Sequence, residues 1–104
     1  MKYDLYQVRP ERVAAGMAFM PLGTRIIDAT DYERTYYGDV PATREMTVLN
    51  ALFRTFNVAH PDDFTGRSMS VSDVVVLDGD TVWYCDNLGW SQLPDHRVTG
   101  KFRP

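Results

Sequence analysis

Few side chains in this sequence could carry covalent chemistry. Cys85 with His60 or His96 would make the smallest thiol and imidazole pair, the base taking the sulfur's proton so that the thiolate can attack. A reactive thiolate needs an electropositive, partly open setting. Cys85 instead sits in "VWYCD", between bulky rings and an aspartate, where a lone cysteine behaves as a small buried hydrophobe. His60 precedes Pro61 in a loop-like run and His96 opens the C-terminal tail, so both read as solvent-facing.

The run "FTGRSMSVSDVVVLDGD" sets Ser68, Ser70 and Ser72 at every second position and ends them at Asp73. A serine hydrolase would need an imidazole that the sequence does not place and a G-x-S-x-G elbow that it lacks. Alternation puts the three hydroxyls on one face of a strand with Met69 and Val71 opposite, where they would bond to neighbouring backbone. Asp73 alone is kept as a recognition candidate. Asp78, Asp80 and Asp86 are the only acids spaced for a metal. The fragment D-G-D lacks the twelve-residue calcium loop and its closing glutamate, and a hairpin turn accounts for it. One cysteine allows neither an internal disulfide nor a multi-cysteine zinc site. The glycines are scattered singly and form no phosphate loop, so no cofactor is implied.

These residues must be held by one core, since 104 residues could hardly fill two. The apolar share of 44% and charged share of 24% are those of a folded globular chain. No apolar run approaches the roughly 20 residues of a membrane helix. The opening "MKYDLYQV" lacks the apolar core of a secretion signal, so the expected location is the cytoplasm.

Charge is unevenly spread. Residues 62 to 95 carry seven acids against Arg67 alone, residues 1 to 61 balance seven against seven, and Arg97, Lys101 and Arg103 make the tail basic. Phosphate binding needs clustered positive charge, so direct nucleic-acid binding is disfavoured; the acidic stretch reads most simply as a solvated surface, or else as one that meets a basic protein or mimics nucleic-acid charge. Tyrosine, tryptophan and arginine dominate binding hot spots, and nine of the eleven basic residues are arginine. Together these nominate Asp73, Asp78, Asp80, Asp86, Tyr84, Trp90 and Arg67 as partner contacts.

Alternation in "KYDLYQV" reads as a first strand and "YERTYYGDV" as a second. A short helix is expected near residues 11 to 18, and residues 26 to 31 as a short strand or irregular chain. Met46, Leu49, Leu52, Phe53 and Phe56 recur at three- and four-residue steps, predicting a helix over 43 to 56, N-capped by Thr43, ending at Asn57 and burying all five. Residues 69 to 77 read as a strand, its apolar second half central and covered on both faces. "DGD" turns into "TVWYC", and a further turn at 87 to 89 leads to a last strand through Trp90. The expected fold is α+β: a small, mainly antiparallel sheet with one principal amphipathic helix on one face, formed by residues 1 to 95. Residues 96 to 104 are read as a flexible basic tail.

The run "LFRTFNVAHPDDFTGRSMSVSDVVVLDGDTVWYCDNLGW", with "YDLYQV" and "DYERTYYGDV", resembles the YodL-like domain family. Its pattern is a helix ending in "RFN" or "KFN", then P-x-D-F-x-G-x-S-L-S-V-S-D-V-V-V-L, then an aromatic strand and a "GF" or "GW" turn. Arg67 stands where histidine is commoner, Met69 where leucine is, and Cys85 where valine is, which argues against a family-wide catalytic thiol. The resemblance implies domains frequent on conjugative elements, plasmids and phages, beside antirestriction proteins, with no mapped functional residues. In that setting the aromatic-rich body, the acidic 62 to 95 stretch and the absence of a catalytic set suggest a non-enzymatic protein-binding module that inhibits or modulates a host protein, such as a restriction or CRISPR effector. Regulation of an actin-like cytoskeletal or envelope protein is the alternative, and a small Cys or Ser hydrolase the weaker one.

Overall fold

A computed structural model describes residues 1–16 and 18–104. Strand β1 (Lys2–Val8) leads into a short helix α1 (Pro10–Ala14), with Pro10 at the first helical position, where its missing N–H costs nothing. A two-residue strand β2 (Ile27–Asp28) and a 3₁₀ turn follow, then β3 (Tyr32–Asp39) and helix α2 (Glu45–Val58). Strands β4 (Val74–Leu77), β5 (Thr81–Asp86) and β6 (Gly89–Gln92) form consecutive hairpins, and β7 (Val98–Thr99) closes the chain. The main sheet is antiparallel throughout, in the order β3-β1-β4-β5-β6, while β2 and β7 pair in parallel beside it. This is the expected small α+β fold.

Alternation along the central strands builds two cores. Tyr3 and Leu5 of β1 and Val75 and Leu77 of β4 point to α2, where they meet Val48, Leu49, Leu52 and Phe56. Tyr6, Val8, Val74, Val76 and Tyr84 point the other way. All four residues of β4 are buried, as a strand covered on both faces requires. At the β4–β5 turn Asp78 and Gly79 both take positive φ (51° and 65°), the geometry of a type I′ hairpin.

Helix α2 differs from the expected helix in register. It starts at Glu45 after Arg44, which makes no side-chain cap, and Asn57 lies inside it, donating from Nδ2 to the Phe53 carbonyl. Val48, Leu52 and Phe56 form an i, i+4 line with Leu49 beside it. At about 100° per residue, Met46 and Phe53 fall on the flank of that line and stay 45% and 42% exposed.

The second face has no long helix: from α1 only Val13 packs there. Ala18, Leu22, Ile27 and Tyr32 cover it together with Leu93, Val98 and Phe102. Residues 96 to 104 are therefore not a detached tail. The Phe102 ring lies tilted 5.0 Å from Tyr6 and edge-to-face 5.5 Å from Tyr32, and Arg97 donates to the carbonyls of Gly23 and Arg25. With only Phe102 and Val98 apolar in it, that segment has no periodicity to announce its docking.

Candidate functional site

The serine run is not a strand. Residues 68 to 73 form a loop in which Ser72 takes φ 88°, and pairing with β1 and β5 begins only at Val74. Alternating hydroxyls therefore do not share one role: Ser72 Oγ is bonded, Ser68 Oγ is at the surface, and Ser70 Oγ is buried with no partner. The Ser72 backbone N–H donates to the Cys85 carbonyl, its Oγ accepts from the Phe19 amide, and its carbonyl accepts from the Tyr32 hydroxyl at 2.7 Å. The Ser70 amide donates to Asp73 Oδ2 at 3.0 Å. The Asp73 carbonyl accepts from the Cys85 N–H, which carries the β4 edge of the sheet one step into the loop.

Asp73 is the hub of this net and is fully buried. Its Oδ2 also accepts from Gln7 Nε2, whose second hydrogen goes to the Arg67 carbonyl. The Arg67 Nη2 stands 3.8 Å from Asp73 Oδ1, while Nη1 donates to the Val8 carbonyl and the guanidinium lies over the Phe19 ring. Burial pushes the Asp73 carboxyl up to about 6, against the pull of Gln7, the Ser70 amide and Arg67. A buried carboxylate so held pins the loop to β1; it cannot reach a partner.

Imidazole and hydroxyl do meet, at a place the sequence did not announce: Ser68 Oγ lies 3.3 Å from His60 Nε2 on the surface. The same nitrogen lies 2.5 Å from the Phe56 carbonyl. A carbonyl only accepts, so Nε2 carries the proton and has no lone pair with which to deprotonate Ser68. Cys85 is 3% exposed, and burial, reinforced by Asp73 and Asp86, pushes its thiol up to about 12. It stays protonated near neutrality.

The other nominated residues divide. Tyr84 is buried, donating its hydroxyl to the Met20 carbonyl and accepting from Arg25 Nη1, which ties the 18–27 segment to the sheet. It is structural, as is Asp86, which accepts from the amides of Leu22 and Asn87 and the Ser91 hydroxyl. Asp78 accepts from the Lys2 amide at the hairpin end. Asp80 is exposed and Trp90 is half-buried. Only these last two stay free to meet another molecule, Trp90 packing one edge on the α2 core.

Trp90 has company that the sequence reading had assigned to the core. Phe53 and Trp90 line one hollow of about 230 Å³ with Asn50 and Gly89. Met46 lies one helical turn from Asn50, and Leu88, 96% exposed, sits in the β5–β6 turn between the lining residues Asn87 and Gly89. Strand β6 is the sheet edge. The peptide groups of Cys85 are spent on Ser72 and Asp73, so the opposed Trp90 forms a non-hydrogen-bonded pair and turns its own N–H and C=O outward. Among the described residues no group of three or more His, Cys, Asp or Glu could hold a metal ion, and no helix is long and apolar enough to cross a membrane.

Fold and site together define a small α+β domain whose Ser72 hydroxyl and central carboxylate are built into its framework, with an apolar helix flank and strand edge left bare. The chain belongs to the YodL-like domain family, whose model matches residues 2–96. No curated protein and no solved structure matches it. Gln7, Phe64 and Gly66 are packed tightly at the start of the serine loop: a Cβ on Gly66 would clash with Gln7 Oε1 and with the Phe64 ring.

Proposed function

We propose that this domain is a protein-binding module of a mobile genetic element that occupies and modulates a host protein, with nucleic-acid-handling defence effectors as the target class, and that it catalyses no covalent step. The observation that carries the reading is exposed Phe53 of α2 sharing a hollow with Trp90 on the unpaired edge of β6, with Met46 on the same helix flank and Leu88 on the β5–β6 turn also exposed. Exposed apolar groups gathered beside an open strand edge favour a covering partner, because covering removes apolar area from water and pairs the free peptide groups. The burial of Cys85 and the commitment of His60 Nε2 to a carbonyl support the non-catalytic part. Family membership supports the mobile-element setting.

Purified domain would be mixed with restriction and CRISPR effector complexes, alongside Phe53→Lys and Leu88→Asp variants. Co-elution and reduced DNA cleavage with the parent protein, both lost in the variants, are expected. If every effector leaves the column alone with its nuclease rate unchanged, the defence target is wrong. A change of cell shape on expression, abolished by Phe53→Lys, would move the target to the cytoskeleton or envelope.

A further inference from the structure

The sheet face opposite α2 is only partly covered. Its pairings set Asp4 opposite Val76 and Val76 opposite Val82, and the Leu93 amide extends the row by donating to the Val82 carbonyl. Phe102 closes over the neighbouring row at Tyr6 but stops short of this one. The result is a cleft of about 600 Å³, floored by Val76, Val82 and Leu93 and walled by Tyr6 and Phe102.

The cleft's rim is acidic. Asp4, Asp80 and Asp95 line it, with Lys101 on the same rim. Asp4 is neutralised by Arg34 at 3.0 Å, whereas neither Asp80 nor Asp95 has an ion-pair partner among the described residues. Asp80 ends the β4–β5 turn and Asp95 opens a 3₁₀ turn after β6, so two carboxylates without an ion-pair partner line one cleft. Like charges on one rim repel, and a cation between them relieves that.

We propose that this cleft docks an extended, arginine-containing segment of a partner protein. Its apolar side chains and arginine stems would lie on the valine floor, and guanidinium groups would reach Asp80 and Asp95, which they can bind in bidentate fashion. A phosphate backbone would meet the same two carboxylates and be repelled. A neutral apolar ligand would use the floor and ignore them. The site lies on the opposite face of the sheet from Phe53 and Trp90, so it is a second surface, independent of the one proposed above.

The test is fluorescence anisotropy with a labelled peptide alternating arginine and valine, a glutamate-for-arginine version, and a single-stranded oligonucleotide. Saturable binding of the arginine peptide is expected, about tenfold weaker for the Asp80→Asn/Asp95→Asn double variant and unchanged for Phe53→Lys. Both aspartates are exposed, so the variant should fold, and its circular dichroism would confirm that. In the parent complex, amide shifts should cluster at Val76, Val82 and Phe102. Failure of the arginine peptide to bind, equal binding of the glutamate peptide, preference for the oligonucleotide, or an unchanged affinity in the double variant would each overturn the proposal. None of these outcomes bears on the helix-flank surface, which Phe53→Lys tests separately.

Discussion

Asp73 and Arg67 approach to 3.8 Å, yet the carboxylate is held chiefly by neutral donors, the Gln7 amide and the Ser70 backbone N–H, in a site closed to water. Opposite charges this near would ordinarily hold a carboxyl low. Here desolvation outweighs the arginine, because a guanidinium that makes no hydrogen bond to the carboxylate offsets only part of the lost hydration.

That balance sets a pH dependence. The folded carboxyl titrates at about 6, above its ordinary value of 3.8, so between those values the native state holds a proton that the unfolded chain has released. Stability from this group is fully present below about pH 4 and falls as pH rises to about 6, by about 3 kcal/mol in all. Urea unfolding across pH 4 to 8 should show that fall. Asp73→Asn, which keeps an acceptor for both donors, should flatten it; an unchanged slope would assign the effect to other groups.

Leu52 and Phe53 are neighbours with opposite fates. Leu52→Ala should cost about 2 to 5 kcal/mol, since its side chain is 2% exposed in the α2 core. Phe53→Ala, at 42% exposed, should cost under about 1 kcal/mol while weakening partner binding. Equilibrium denaturation separates them, and equal losses would place Phe53 in the core after all.

Gly66→Ala should destabilise by about 1 to 3 kcal/mol through overpacking. The atom it would strike, Gln7 Oε1, belongs to a buried side chain already anchored to Asp73 and the Arg67 carbonyl, which leaves it little room to yield. A melting temperature equal to that of the parent protein would show that the loop can shift.

Cys85 should resist Ellman's reagent in the native state at pH 8 and react at once in guanidinium, because its thiol is enclosed and pushed up to about 12. Fast native labelling would reopen the thiol-enzyme reading.

Removing residues 97–104 should lower stability although the family match ends at His96, because the cut strips Phe102 from Tyr6 and Tyr32 and Arg97 from the Gly23 and Arg25 carbonyls. Phe102→Ala alone should cost about 1 to 3 kcal/mol for its half-buried ring. A truncated chain as stable as the full one would make the segment dispensable.

By itself the sequence determined whatever depends on neighbours a few residues away. Alternation marked β1 and β3, D-G-D marked the β4–β5 hairpin, and the unbroken valines marked a strand covered on both faces. Three- and four-residue spacing found α2 but not its buried line, since Met46 and Phe53 keep the period while lying on the flank. Only the tertiary structure decided the rest. Gln7 bonds to Asp73 across 66 residues and Tyr32 to Ser72 across 40, and such contacts exist only once β1, β4 and the loop share one space. For that reason Ser72 became framework, Tyr84 and Asp73 went inside, and the last residues found a face to cover: side-chain type sets what a group can bond to, and chain topology sets what it meets.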